Sequence, residues 1–146
     1  HLMPANTDPL YALTPSVSTD GAGTMSQGVT AAAADYDGTS ANYVLVFTAG
    51  PNGAVLERIR AKAKGANVTA VARVFVNNGT GAHTTASNNT FVDELDLPAT
   101  AASTTASTPA VDRAYNWKLE AGQEVYVGLG AAVTAGWVFT AFGAHY

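Results

Sequence analysis

The longest stretch of alternating apolar and polar positions is Ala54 to Asn78, AVLERIRAKAKGANVTAVARVFVNN, which reads as two extended runs hinged at Gly65-Ala66-Asn67. Successive side chains of a strand point to opposite faces. In the first run this puts Arg58, Arg60, Lys62 and Lys64 in one row, and Val55, Glu57, Ile59, Ala61 and Ala63 in the other. The second run, Val68 to Val76, is apolar and β-branched on both faces with Arg73 its one charge, so it is expected to be buried on both sides. A helix is the rival reading of the first run. Ala, Leu, Glu, Arg and Lys are good helix formers, and Val55, Ile59 and Ala63 fall four apart. Strand is preferred because Gly53 and Gly65 bracket a run of strand length and the remaining segments read β.

The same alternation recurs along the chain. Asn42 to Ala49 is the clearest strand, with Tyr43, Leu45 and Phe47 opposite Val44 and Val46; apolar on both sides, it is expected to be central. Thr24 to Ala34 reads as a weak strand, and Asp35-Tyr36-Asp37-Gly38-Thr39 as a turn. Phe91 to Leu97 sets Phe91, Asp93, Leu95 and Leu97 against Val92, Glu94 and Asp96. Val111 to Leu119 carries Tyr115 and Trp117 on one face, Glu124 to Gly130 points Val125, Val127 and Leu129 inward, and Trp137 to Phe142 is the last strand. Turns fall at Gly50-Pro51-Asn52-Gly53, Glu120 to Gln123 and Ala135-Gly136. Asn77 to Asn89 is a polar loop, and Pro98 to Pro109 is low-complexity, a loop or a flat extended run by pattern and compatible with disorder by composition. About eight short strands without a convincing helix predict an all-β fold, a jelly-roll-like sandwich of antiparallel strands in one domain. Residues 24–146 form that domain. Residues 1–23 hold a cloning remnant, His1-Leu2, and a proline-rich segment suited to an extended arm or an edge strand, laid on a neighbouring copy or loose at the terminus.

Composition changes this picture in one respect. Charged residues are 12% of the chain, about half the usual share, and net charge is −4, so much of the surface must be neutral and small. Such a surface favours contact between copies. Five of the seven Lys and Arg lie between Ala54 and Asn78. The absence of cysteine excludes disulfides and thiolate chemistry. No apolar run reaches the length of a membrane span, and no signal peptide is expected.

Candidate chemistry is sparse. The histidines are His1, His83 and His145, and none falls in an HxH or HExxH spacing. Asp35-Tyr36-Asp37-Gly38 matches the start of a calcium loop, but the twelfth position is Val46 where a glutamate would be needed, so a plain turn is preferred. Alternation separates Asp93 from Glu94 and Asp96, which leaves no carboxylate pair for acid–base work. Neither a nucleophile elbow nor a phosphate loop occurs. Three N-x-T sequons, at Asn67, Asn78 and Asn88, are expected by chance in a chain so rich in Asn and Thr. No enzyme activity, cofactor or metal is therefore expected. The row Arg58, Arg60, Lys62 and Lys64 has three readings: a solvated sheet face, a patch for an acidic surface such as Glu94 and Asp96 of a neighbouring copy, or a nucleic-acid surface. The last is disfavoured, because aromatic interleaving is lacking and the chain is acidic.

The runs LVFTAGPNGAVLERIRAKAKGANVTAVARVFVNN, NNTFVDELDLPATAAS and LEAGQEVYVGLGAAVTAGWVFTAFGAHY resemble a group of small all-β proteins encoded among tailed-bacteriophage virion genes. The resemblance spans about Tyr43 to Tyr146 and rests on FTAG before a basic strand, the acidic strand ending LPAT, and AGW near the end. It implies a virion structural role: a capsid decoration or tail-associated protein, made in the bacterial host cytoplasm. The expected partners are copies of itself, trimers favoured over dimers, and capsid or tail proteins. The alternative is a carbohydrate- or receptor-binding module of a phage tail, with Tyr36, Tyr43, Tyr115, Trp117 or Trp137 stacking on sugar.

Overall fold

The computed structural model describes residues 28–146 and the backbone of Thr14–Ser18. Eight strands run in order: β1 (Thr14–Ser18), β2 (Val44–Thr48), β3 (Ala54–Ala63), β4 (Ala70–Asn77), β5 (Asn89–Leu97), β6 (Ala110–Leu119), β7 (Glu124–Leu129) and β8 (Trp137–His145). A short 3-10 turn, Ala86–Asn88, leads into β5. The strands form two antiparallel four-stranded sheets, β1-β8-β3-β6 and β2-β7-β4-β5. The last strand lies between the first and the third, which is the order that makes the sandwich a jelly roll. Only β4 and β5 are both consecutive and paired; every other connection crosses to the opposite sheet. β1 falls within the stretch read as an arm, and it is there an edge strand paired with β8. The rest of that stretch lies outside the described residues.

Two sets of inward side chains make the core. Leu56, Ile59, Trp137 and Phe139 come from the first sheet, and Val46, Phe47, Val74, Leu95, Leu97, Val125, Val127 and Leu129 from the second. Trp137 and Phe47 are wholly buried, and each aromatic of this size removes roughly 150–250 Å² from water. β4, expected to be covered on both sides, is the best-buried strand and is central in its sheet. It begins at Ala70, however, and Val68 is exposed in the preceding turn.

The expectations fail where a β-bulge shifts the phase of the alternation, because one extra residue exchanges the two faces of a strand. In β3 the register with both neighbours slips between Leu56 and Arg58. Ala54 and Leu56 therefore point inward before the bulge, and Ile59, Ala61 and Ala63 after it. Val55 and Glu57 do not share the inward row. In β5 the slip between Phe91 and Asp93 sends Phe91 away from Leu95 and Leu97, to stack on Phe75 with ring centroids 5.0 Å apart.

Two further readings are corrected. β2 is an edge strand and not a central one. Its alternation is broken by a bulge between Leu45 and Phe47, which turns Val46 and Phe47 both to the core, while the segment before it crosses the outside of β7 and β4. Ala33 donates its N–H to Leu129 O at 2.6 Å, and Tyr43 packs edge-on against Phe75 with Ala33 beside it. Within Thr24 to Ala34, the described residues form no strand; they make isolated bridges at Val29 and Ala32. The Pro98–Pro109 segment is an ordered loop, bridged to the β3–β4 turn through Asn67 and Thr100.

Candidate interaction surface

The bulge at Glu57 aims the cations. Beyond it, with Ile59, Ala61 and Ala63 turned to the core, Arg58, Arg60 and Lys62 project from the outer face of the first sheet. Lys64 is exposed one residue past the strand end, its stem running by Gly28, where a Cβ would lie 2.8 Å from Lys64 Cδ. The row is organised by β6. The Asp112 carboxylate accepts from Arg60 Nε at 2.9 Å and Nη2 at 3.1 Å, and from Arg58 Nη1 at 3.3 Å. The forked hydrogen bond from Arg60 holds the Asp112 carboxyl below its usual range, against the opposing effect of desolvation; the charges of Arg60 and Arg58 add to the depression. The Arg58 guanidinium also lies 4.2 Å over the Phe142 ring on β8. Lys62 Nζ donates to the carbonyl of Thr108. These pairs are exposed and salt-screened, so they add little to stability. Their effect is to fix two arginines on one carboxylate and Lys62 on a carbonyl along the outer face.

The acids lie on the other side of the sandwich. On β5, Leu95 and Leu97 are buried, so Glu94 and Asp96 project outward from the second sheet. The structure therefore does not bring Arg58, Arg60 and Lys62 together with Glu94 and Asp96 within one copy. Glu94 instead lies 3.7 Å from Arg73 Nε. Arg73, on central β4, is buried beneath the ring of Tyr36 at 3.9 Å. Its Nη1 reaches the carbonyls of Ala33 and Asp35 only at 3.5 Å, and its Nε has no hydrogen bond. Asp96 borders a depression of about 490 Å³ with Arg73, Val71, Leu97, Pro98 and Gly130.

Asp35 and Asp37 shape the turn that carries Tyr36. Asp35 Oδ1 accepts from the N–H groups of Asp37, Gly38 and Thr39, the shortest at 2.6 Å, and Oδ2 from Ser40. Burial pushes the Asp35 carboxyl up. The hydrogen bond with Asp37 and those from the backbone outweigh it and leave the group below its ordinary value. The carboxylates are thus turned back onto their own loop. Tyr43 donates to Ala33 O and Asp35 O beneath it; burial, with the nearby Asp35 charge, pushes its hydroxyl up to about 12.

Both histidines among the described residues are engaged in packing. His83 Nδ1 lies 2.9 Å from Gly38 O, with its ring against Tyr126. His145 Nδ1 accepts the Gly50 N–H and the ring stacks on Phe47. Of the aromatics considered as sugar platforms, Tyr43 and Trp137 are buried, Tyr36 is exposed over Arg73, and Tyr115 and Trp117 are half-buried.

One constellation was not anticipated. β5 and β6 are the edge strands of their sheets and lie over one another. There Tyr115 donates to Asp93 Oδ2 at 2.7 Å, and Arg113 reaches Asp93 Oδ1 at 3.4 Å and Glu94 O at 3.3 Å. Burial, then the hydrogen bond to Asp93 and its charge, push the Tyr115 hydroxyl strongly up. The clasp closes the open side of the sandwich with inward charges, a device that also discourages edge pairing. Its sequence signal is Asp93 itself, an acid on the same side as Leu95 and Leu97.

A comparison with protein-family models finds no match, nor do comparisons with the curated proteins and with the solved structures. Among the described residues no helix is long and apolar enough to cross a membrane.

Proposed function

We propose that this protein is a structural component of a bacteriophage virion, a capsid decoration or stabilising protein that works as a homo-oligomer. The observation that carries the reading is the placement of opposite charge on opposite sheets: Arg58, Arg60 and Lys62 outward on β3, and Glu94 and Asp96 outward on β5. The two sets cannot meet within one copy, but they can between copies. A contact between unlike surfaces is heterologous, and it closes into a ring or continues as a filament. The smallest ring that a heterologous contact closes is a trimer, which is the expected form. The resemblance of Tyr43 to Tyr146 to small virion proteins supports the same reading. Repetition on a shell would then hold each copy through many modest contacts.

The test uses particles of the phage that encodes the chain, made with and without its gene. Electron microscopy of the deleted particles with purified protein added back is expected to show density restored at symmetric surface positions. Particles of identical appearance, with the protein left in the supernatant, would refute the reading.

A further inference from the structure

A shallow, open groove of about 550 Å³ lies where β5 meets the β6–β7 turn, with Thr90, Asn116, Trp117, Lys118 and Gln123 in its lining. Three features set it apart from the rest of the surface. First, Trp117 is held in place. Its ring stacks on Tyr115 with centroids 3.9 Å apart, and Tyr115 is fixed in turn by Asp93. Second, Asn116 has φ of +129°, the only positive φ at a non-glycine among the described residues. Strain of this kind persists where surrounding structure over-determines it and clusters at binding sites. Here it arises where β6 slips against β3, between Trp117 opposite Leu56 and Ala114 opposite Arg58, and it places an exposed carboxamide at the mouth of the groove. Third, the polar lining is mostly uncharged. It offers the Asn116 amide, the Thr90 hydroxyl and the Gln123 amide, with Lys118 the one charge. The Gln123 oxygen accepts the Glu120 N–H at 2.9 Å, which leaves its NH2 group as a donor.

An aromatic wall with a few convergent polar groups is the usual form of a small-ligand site. Carboxamides offer a donor and an acceptor side by side, and so match the vicinal hydroxyls of a sugar. The C–H face of a pyranose carries partial positive charge and suits the negative face of an indole. We propose that this groove binds a neutral carbohydrate, a pyranose ring set against Trp117 with its hydroxyls on Asn116, Thr90 and Gln123. The site does not depend on self-association, so the failure of either idea leaves the other standing.

The test is titration of the full chain with maltose, cellobiose and lactose, read by calorimetry and by tryptophan fluorescence. The chain has two tryptophans and Trp137 is fully buried, so a change in emission reports Trp117. At least one disaccharide is expected to bind with a Kd of about 0.1–10 mM and to shift that emission. Asn116→Gly relieves the backbone strain while removing the amide, so it keeps the fold and is expected to weaken binding about 10-fold, equivalent to ~1.4 kcal/mol. Trp117→Phe, checked for folding by its melting curve, is expected to weaken it further. No heat or emission change with any of the three sugars at about 50 mM, well above that Kd range, would overturn the proposal. So would binding unaltered by both substitutions, or binding of a proline-rich peptide in place of the sugars.

Discussion

Asn67 ties together three loops at one end of the sandwich, and its replacement tests whether buried hydrogen bonds hold them. The side chain is buried in the turn between β3 and β4. Its Oδ1 accepts from Gly136 N at 2.7 Å and Ala135 N at 3.0 Å, and its Nδ2 donates to Gly136 O at 3.1 Å and Thr100 Oγ1 at 3.2 Å. The backbone bridge to Thr100 adds the Pro98–Pro109 loop. In Asn67→Ala these losses are unequal. Ala135 N retains Ala66 O at 3.3 Å, and Gly136 O retains the Lys64 N–H at 3.0 Å. Gly136 N keeps no acceptor, and it is buried. An orphaned buried donor costs about 1–3 kcal/mol, and each lost bond whose partner is satisfied elsewhere about 0.5–1.5 kcal/mol. The sum is roughly 2.5–7.5 kcal/mol, which for a chain of this size lowers Tm by about 5–30 °C. Urea and thermal unfolding of the variant measure it directly. Asn67→Asp keeps an acceptor for Gly136 N but sets a second oxygen against Gly136 O, so it is expected to lose at least as much. A loss below about 0.5 kcal/mol, the range of ordinary surface changes, would show that this end does not depend on Asn67.

The other predictions concern a glycine and an acid. Gly53 has φ of +85°, and a Cβ there would lie 2.7 Å from Leu119 O, whereas Gly122 has φ of +78° with its nearest neighbour 4.0 Å away. Gly122→Ala should cost about 1–2 kcal/mol from backbone conformation alone, and Gly53→Ala clearly more in the same denaturation experiment; equal losses would refute the clash. The folded-state depression of the Asp35 carboxyl means its contribution to stability is present above the unfolded pKa of about 3.9 and is lost as pH falls through the lower folded value. The Tm difference between the wild type and Asp35→Asn should therefore shrink as pH drops below about 4; a difference constant with pH would contradict the turn's electrostatics.

Much of the fold is written in local alternation, and the misses share a physical cause. β4 and β7 are legible because their apolar residues fall on unbroken rows, Val74 and Val76 in one, Val125, Val127 and Leu129 in the other. The inward row of β3 cannot be read through Glu57, because a bulge at an ordinary residue carries no glycine or proline to mark it. β2 looks central because both of its rows are apolar, but a bulge after Leu45 turns Val46 and Phe47 alike to the core. The irregular segment through Ala33 and Tyr43 lies instead over Phe75 and Tyr126, on β4 and β7. The outward direction of Arg58, Arg60 and Lys62 is likewise legible, and so is that of Glu94 and Asp96. Their assignment to opposite sheets depends on strand order, which is fixed by non-local pairing. The Asp93–Arg113–Tyr115 clasp is non-local in the same way, joining residues about twenty apart in sequence through edge strands of different sheets.

The central claim, that the basic face of one copy meets the acidic strip of the next, is tested most directly by sedimentation equilibrium across protein and salt concentration. The wild type is expected above its monomer mass of 14.9 kDa, at three times that value when closed, and to dissociate as salt screens the contact. Arg60→Glu should give monomers at low salt, and adding Asp96→Arg in the same chain should restore assembly. A wild type that stays monomeric at every concentration, or an assembly indifferent to both salt and Arg60→Glu, would contradict the account.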